Sequence, residues 1–137
     1  ALAVRGRCGR PLGQAHAVSV MRLVEVYRIT VFVPATHVDL VVAGIVAVDG
    51  LSMGDYGEVM WMSPRVTEQF RPGAAARPTE GAAGELSHID SVRVEFAIPR
   101  DPARLDRLPR EGIHANHPWE VPAVFIDEAL FPLPEAT

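Results

Sequence analysis

From Glu25 the chain reads Glu-Val-Tyr-Arg-Ile-Thr-Val-Phe-Val-Pro34, with Tyr27, Ile29, Val31 and Val33 on one side of a two-residue period and Arg28 and Thr30 on the other. That alternation, closed by a proline, predicts a strand. Thr36 and Asp39 follow at capping-box-like spacing. The hydroxyl is placed to satisfy a free backbone N–H, and the acid suits a helix's positive end. Val38, Val41, Val42, Ile45 and Val46 recur at helical spacing, and Gly50 offers a stop. Valine favours strands, but cap and period together decide for a helix.

A second strand is expected across Tyr56–Met62. Residues 64–84 contain Pro64, Pro72, Gly73, Pro78, Gly81 and Gly84, which predicts a long loop with a short edge strand at Thr67–Arg71. Loops of this length inside a compact domain are generally functional or disordered. The third strand is the clearest, with Val92, Val94, Phe96 and Ile98 pointing one way and Arg93 and Glu95 the other. Asp101-Pro102 reads as an N-cap followed by proline in the first turn of a helix. Leu105 and Leu108 give that helix a short apolar stripe, which Pro109 and Gly112 should break or kink. A last strand is expected from Trp119 to Ile126. The order β-α-β-β-α-β, closed by right-handed crossovers, implies an α+β, ferredoxin-like sandwich with two helices on one face of one sheet.

At 137 residues the chain is long enough to bury about two-thirds of the surface its unfolded form exposes, so one domain suffices. We expect residues 21–137 to form that domain and residues 1–20 to be an ill-ordered extension, with Met21 as a natural start. The first twenty residues carry Arg5, Arg7 and Arg10 and no acid, so a net charge of −4 leaves −7 on the remainder. An organelle-targeting or anion-binding arm is the functional alternative for this segment. All thirteen basic residues are arginine, which excludes Schiff-base chemistry, a phosphate-loop lysine and a lysine general base. The acidic balance argues against nucleic acid as a partner. Absence of a membrane-length apolar run argues against a membrane-spanning chain. Cys8 is the only cysteine, which rules out an internal disulfide or multi-thiolate zinc and favours a cytoplasmic setting.

His-Pro-Trp-Glu-Val-Pro at 117–122 resembles the signature that closes the CutA divalent-cation-tolerance proteins. Phe32-Val33-Pro34, Gly54-Asp55-Tyr56, Phe70-Arg71-Pro72 and the Gly81–Gly84 pair are similar, in the same order, to motifs of the CutA-like domain inserted in the Nif-three-like proteins, also found as a stand-alone protein. The likeness covers roughly residues 25–127. It departs at Asp49-Gly50-Leu51-Ser52, at Pro109 and Gly112, and at Val121. The resemblance implies a CutA/PII-like sandwich that assembles as a homo-oligomer, a trimer in particular. The two-metal centre of the Nif-three-like proteins lies in the halves flanking the insert. Residues 1–24 and 128–137 are too few to supply those halves, so a binuclear hydrolase site is not expected here.

Each candidate side chain has a functional and a structural reading. Glu111, His114, His117 and Glu120 recur every third residue, and imidazoles with carboxylates suit zinc or copper. His114, His117 and Glu120 would be the metal set. Gly112 and Pro118 interrupt the helix that would gather them, so the structural reading has His117 and Glu120 fixing the turn into the last strand over Trp119. Arg71, beside proline, could bind a phosphate or carboxylate, or pair with Glu68 or Glu80. His37 and His88 read as surface residues, and Met60, Trp61 and Met62 as core or subunit interface. No nucleophile–base or acid–base constellation is visible. The sequence therefore predicts a non-enzymatic, regulatory or ligand-binding oligomer. A small anionic ligand is expected near Arg71, His117, Trp119 and Glu120, with no cofactor. The alternative is a divalent-metal-binding protein using the His117 region.

Overall fold

The computed structural model describes residues 20–135. The expected extension over residues 1–20 thus lies almost wholly outside the described residues. Strand β1 spans Met21–Pro34, and a single tight turn over Ala35–His37 leads into helix α1, Val38–Val48. Strands β2 (Trp61–Phe70) and β3 (Ser87–Pro99) follow, then helix α2 (Pro102–Arg107), which runs directly into a wider π-helical turn over Leu108–His114. Strand β4, Val124–Pro134, completes the order. The four strands form one sheet in the order β2-β3-β1-β4, and every neighbouring pair is antiparallel. The molecule is an α+β structure with two helices packed on this sheet.

The core follows the periodicities. Ile29, Val31 and Val33 of β1 and Val94, Phe96 and Ile98 of β3 are buried with Val41 and Ile45 of α1 and with Leu108 and Ile113 of the π turn. Residues of both helical segments thus share one core with alternate residues of the two central strands. Burial at about 25 cal/mol per Å² of apolar surface makes this cluster the main stabilising feature. Gly112 lets the helices approach closely, since a Cβ there would come 3.2 Å from Cα of Ile45.

Several boundaries differ from expectation. β1 begins at Met21 rather than Glu25, because β4 extends to Pro134 and pairs with it there. The second strand does not occupy Tyr56–Met62. Tyr56 instead exchanges backbone bonds with Met53 around a tight turn, and the strand runs from Trp61 through much of the expected loop. Pro64 had argued against a strand, but β2 is at the sheet edge and the register skips between Met62 and Arg65. A proline is tolerated at an edge bulge. Ser63 Oγ there accepts from the Arg93 N–H at 2.9 Å. The final strand begins at Val124, not Trp119, because residues 117–122 are held in an irregular turn.

The caps divide similarly. Asp101 does cap α2, its Oδ1 accepting from the Ala103 and Arg104 N–H groups. Thr36 does not cap α1, since its hydroxyl lies 2.8 Å from His37 Nδ1. Pro109 and Gly112 end the α-helix without ending the helical path, which widens into the π turn. At the end of α1 the Asp49 carboxylate accepts the Leu51 N–H and a bidentate pair from Arg104 at 2.7 and 2.8 Å. Leu51, at φ 48°, then turns back to bury its side chain in the core.

Candidate functional site

The π turn delivers the chain into the core edge at His117, whose residue is 7 % exposed. Its Nδ1 lies 3.1 Å from the Trp119 backbone N–H, and its Nε2 lies 2.9 Å from the Phe32 carbonyl oxygen. A backbone N–H can only donate, so Nδ1 must accept, which assigns the proton to Nε2 and makes that nitrogen the donor to Phe32. Burial holds the ring's pKa below its ordinary value; the Phe32 carbonyl opposes this, while His114 and His37 add to it. His117 is therefore a neutral strut between β1 and the turn. Both nitrogens are committed, and a metal could be ligated only by breaking one of these bonds. His114 is exposed at the end of the π turn. Among the described residues no three His, Cys, Asp or Glu side chains gather as a metal set.

The turn grips the loop that follows β2. Trp119 Nε1 donates to Glu80 at 3.2 Å, Glu120 accepts the Arg77 backbone N–H at 2.9 Å, and the Thr79 hydroxyl donates to the Pro118 carbonyl at 2.6 Å. The Trp119 ring packs at 5.3 Å from Phe70, at an interplanar angle of 59°, a tilted geometry that suits aromatic quadrupoles. Gly81, at φ +85°, lies where a Cβ would come 3.4 Å from the Phe70 ring and closer still to Ser87 Oγ. Glycine is required there for both reasons. Arg71 is exposed, and its Nη1 donates to the Gly84 carbonyl at 2.6 Å. It clasps its own loop instead of pairing with Glu68 or Glu80.

Between the end of β2, this loop and the Trp119 turn lies a cleft of about 330 Å³. Phe70, Pro78 and Trp119 supply its apolar surface, and Glu68, Glu80 and Glu120 supply carboxylates. One oxygen of Glu68 is buried without a hydrogen-bond partner. Among the described residues no arginine or histidine side chain lines this cleft. Of the residues expected from the sequence to meet a ligand, Trp119 and Glu120 line this cleft, and His117 adjoins it through the Trp119 N–H. Arg71, His114 and His117 do not line the cleft. Phe70, Glu68 and Glu80 were missed as lining. Glu80 and Trp119 are 39 residues apart, so no local spacing could have paired them.

An antiparallel α+β sandwich carrying an aromatic, carboxylate-lined cleft is the class of molecule these features define. No family profile matches the chain. It is 36 % identical over 104 residues to a Mycobacterium leprae protein named GTP cyclohydrolase 1 type 2 homolog, a match covering 76 % of this chain and 26 % of the relative. The matching segment is thus about a quarter of the relative's length. Among solved structures, a Bacillus cereus protein related to NIF3 superposes with a TM-score of 0.59 at 24 % identity, over 85 % of this chain and 29 % of that one. A Staphylococcus aureus protein superposes with a TM-score of 0.50 at 16 % identity, over 86 % and 27 % respectively. The structural likenesses establish a shared fold.

Proposed function

We propose that this chain is a non-enzymatic, self-associating module of the CutA-like kind found inserted in Nif-three-like proteins, and that it binds a small molecule in the cleft under Trp119. The strand order β2-β3-β1-β4 with both helical segments on one core supports the ferredoxin-like, CutA/PII-like reading of the sandwich. The observation that carries the ligand-binding reading is the construction of the cleft. His117, Glu80, Glu120 and Thr79 spend their hydrogen bonds fixing Trp119 and its loop, so the cavity is formed before any ligand arrives. Preformed, mostly apolar clefts with a few convergent polar groups are the usual form of small-molecule sites.

Self-association is supported by the two outer strands. Trp61 and Met62 on β2, and Phe125, Ile126 and Leu130 on β4, are exposed large apolar residues, and edge strands offer unpaired backbone groups. The relative's name invokes a cyclohydrolase, but we assign no reaction to the segment shared with it. The Thr36 hydroxyl and His37 Nδ1 form the one hydroxyl–imidazole contact among the described residues. It sits on an open turn with no carboxylate orienting the ring, unlike a catalytic pair.

Native mass spectrometry of protein purified without chelator tests this reading. A trimer carrying a small organic mass, lost in Trp119→Ala, is the expected result. A monomer at micromolar concentration would remove the assembly, and one equivalent of zinc or copper per subunit would replace the organic ligand with a metal.

A further inference from the structure

Glu68 and Phe70 project from the same side of β2, two residues apart, and both line the cavity with Trp119, Glu80 and Glu120. Two of these carboxylates have partners within the protein. Glu80 accepts the Trp119 indole N–H and Glu120 accepts the Arg77 backbone N–H. Glu68 Oε1 is shielded from solvent and has no partner. A buried carboxylate oxygen left unmatched is costly, and the cavity beside it holds no basic side chain among the described residues. Two aromatic rings line the same cavity. Phe70 and Trp119 stand 5.3 Å apart with their planes inclined, and ring faces of this kind attract cations.

We infer that the cleft is a binding site for a small organic cation, an ammonium or guanidinium group on an apolar body. The cationic head would be received by Glu68 with Phe70 and Trp119 alongside, and the body would lie against Pro78. Three glutamates on the wall make an anion a poor occupant, so the ligand charge expected from Arg71 is reversed. A bare metal ion is also poorly served, since the rings supply no donor atoms and the carboxylates of Glu80 and Glu120 are engaged in holding the loop. The inference rests on the ligand-binding reading of the cleft and narrows it to one chemistry.

Three probes of one shape but different charge test it: 2-phenylethylammonium, neutral 2-phenylethanol and 3-phenylpropanoate. Binding is read by titration calorimetry and by the shift of the Trp119 indole N–H resonance. The ammonium should bind, perturb that resonance, and bind roughly tenfold or more tightly than the alcohol. Glu68→Gln, which keeps shape and removes charge, should erase most of that preference without lowering the melting temperature. Equal affinity for ammonium and alcohol, or an ammonium preference untouched by Glu68→Gln, would overturn the inference. If the alcohol or the carboxylate alone shifts Trp119, the cleft still binds ligands and only its proposed charge is wrong. If no probe shifts it, both readings fall.

Discussion

The His117 imidazole has one donor and one acceptor in its neutral form, and the fold uses each once, toward Phe32 and toward the Trp119 N–H. Protonation would turn Nδ1 into a donor facing another donor. The folded-state pKa is depressed, chiefly by burial, so the unfolded chain binds the proton more readily. Stability should therefore be full above the ordinary imidazole value of about 6.5. It should fall as pH drops below that value and level off once pH passes the lower folded value. Thermal unfolding between pH 8 and pH 5 would display this step, and His117→Ala should abolish it while costing about 1–3 kcal/mol at neutral pH. Metal content should be negligible in both proteins; a stoichiometric metal lost with the histidine would instead make His117 a ligand.

Asp49 behaves in the opposite sense. Burial raises its pKa, but the Arg104 hydrogen bonds and the Leu51 N–H outweigh it and hold the group below the usual carboxylate range. This contribution is complete above the unfolded carboxylate value and is lost as pH falls through the folded one. Asp49→Asn should cost about 1–3 kcal/mol, since it weakens charge-assisted bonds that also position Leu51. The roles of these two residues were unequally legible. His117 stood out because proline and tryptophan follow it, whereas the spacing of Asp49 and Arg104 gave no hint that they meet.

At the scale of elements, strict periodicity was the part of the sequence that carried over. β1, α1 and β3 are where their apolar patterns place them, because each buries one face and a shift of one residue would expose it. β2 and β4 were misplaced by several residues. Both are edge strands with largely exposed side chains, so their composition is set by solvent, bulges and prolines rather than by a buried face. The π turn was legible only as an interruption. Pro109 signals that the α-helical ladder must fail, but whether the path stops or widens depends on the apolar anchors Leu108 and Ile113, which hold it to the sheet. Gly112 is the contact point of that turn with α1. Gly112→Ala would push a methyl to 3.2 Å from Cα of Ile45, and backbone cannot yield as a side-chain tip does. A loss of about 1–3 kcal/mol in denaturant unfolding is expected, although alanine is the better helix former.

At the scale of the whole molecule, both outer strands carry exposed large apolar side chains. Leu130 and Phe125 are exposed on β4, and Pro132 and Pro134 on the same strand remove two backbone donors that a foreign strand would need. Association should therefore depend on side-chain contact as well as backbone pairing. Leu130→Glu should shift light scattering toward the monomer while leaving the circular dichroism spectrum intact. An unaltered assembly in that variant would place the interface elsewhere. The sequence pointed to association through resemblance and through the apolar run Met60–Met62, since a single chain's pattern distinguishes a core face from a solvent face but not a solvent face from a partner's.

The sheet order also sets a timetable. β1 lies between β3 and β4, so the earliest made of these four strands waits for the latest before its second edge is filled. Only β2 and β3 are joined by pairing between consecutive strands; every other ladder closes a loop of many tens of residues, and such closures are slow. During synthesis the apolar face of β1 is thus made early and completed late, an interval in which it is open to other chains. Pulse-labelled hydrogen exchange during refolding should find β2–β3 amides protected before those of the β1–β4 ladder. Truncations that remove β4 should aggregate rather than merely soften.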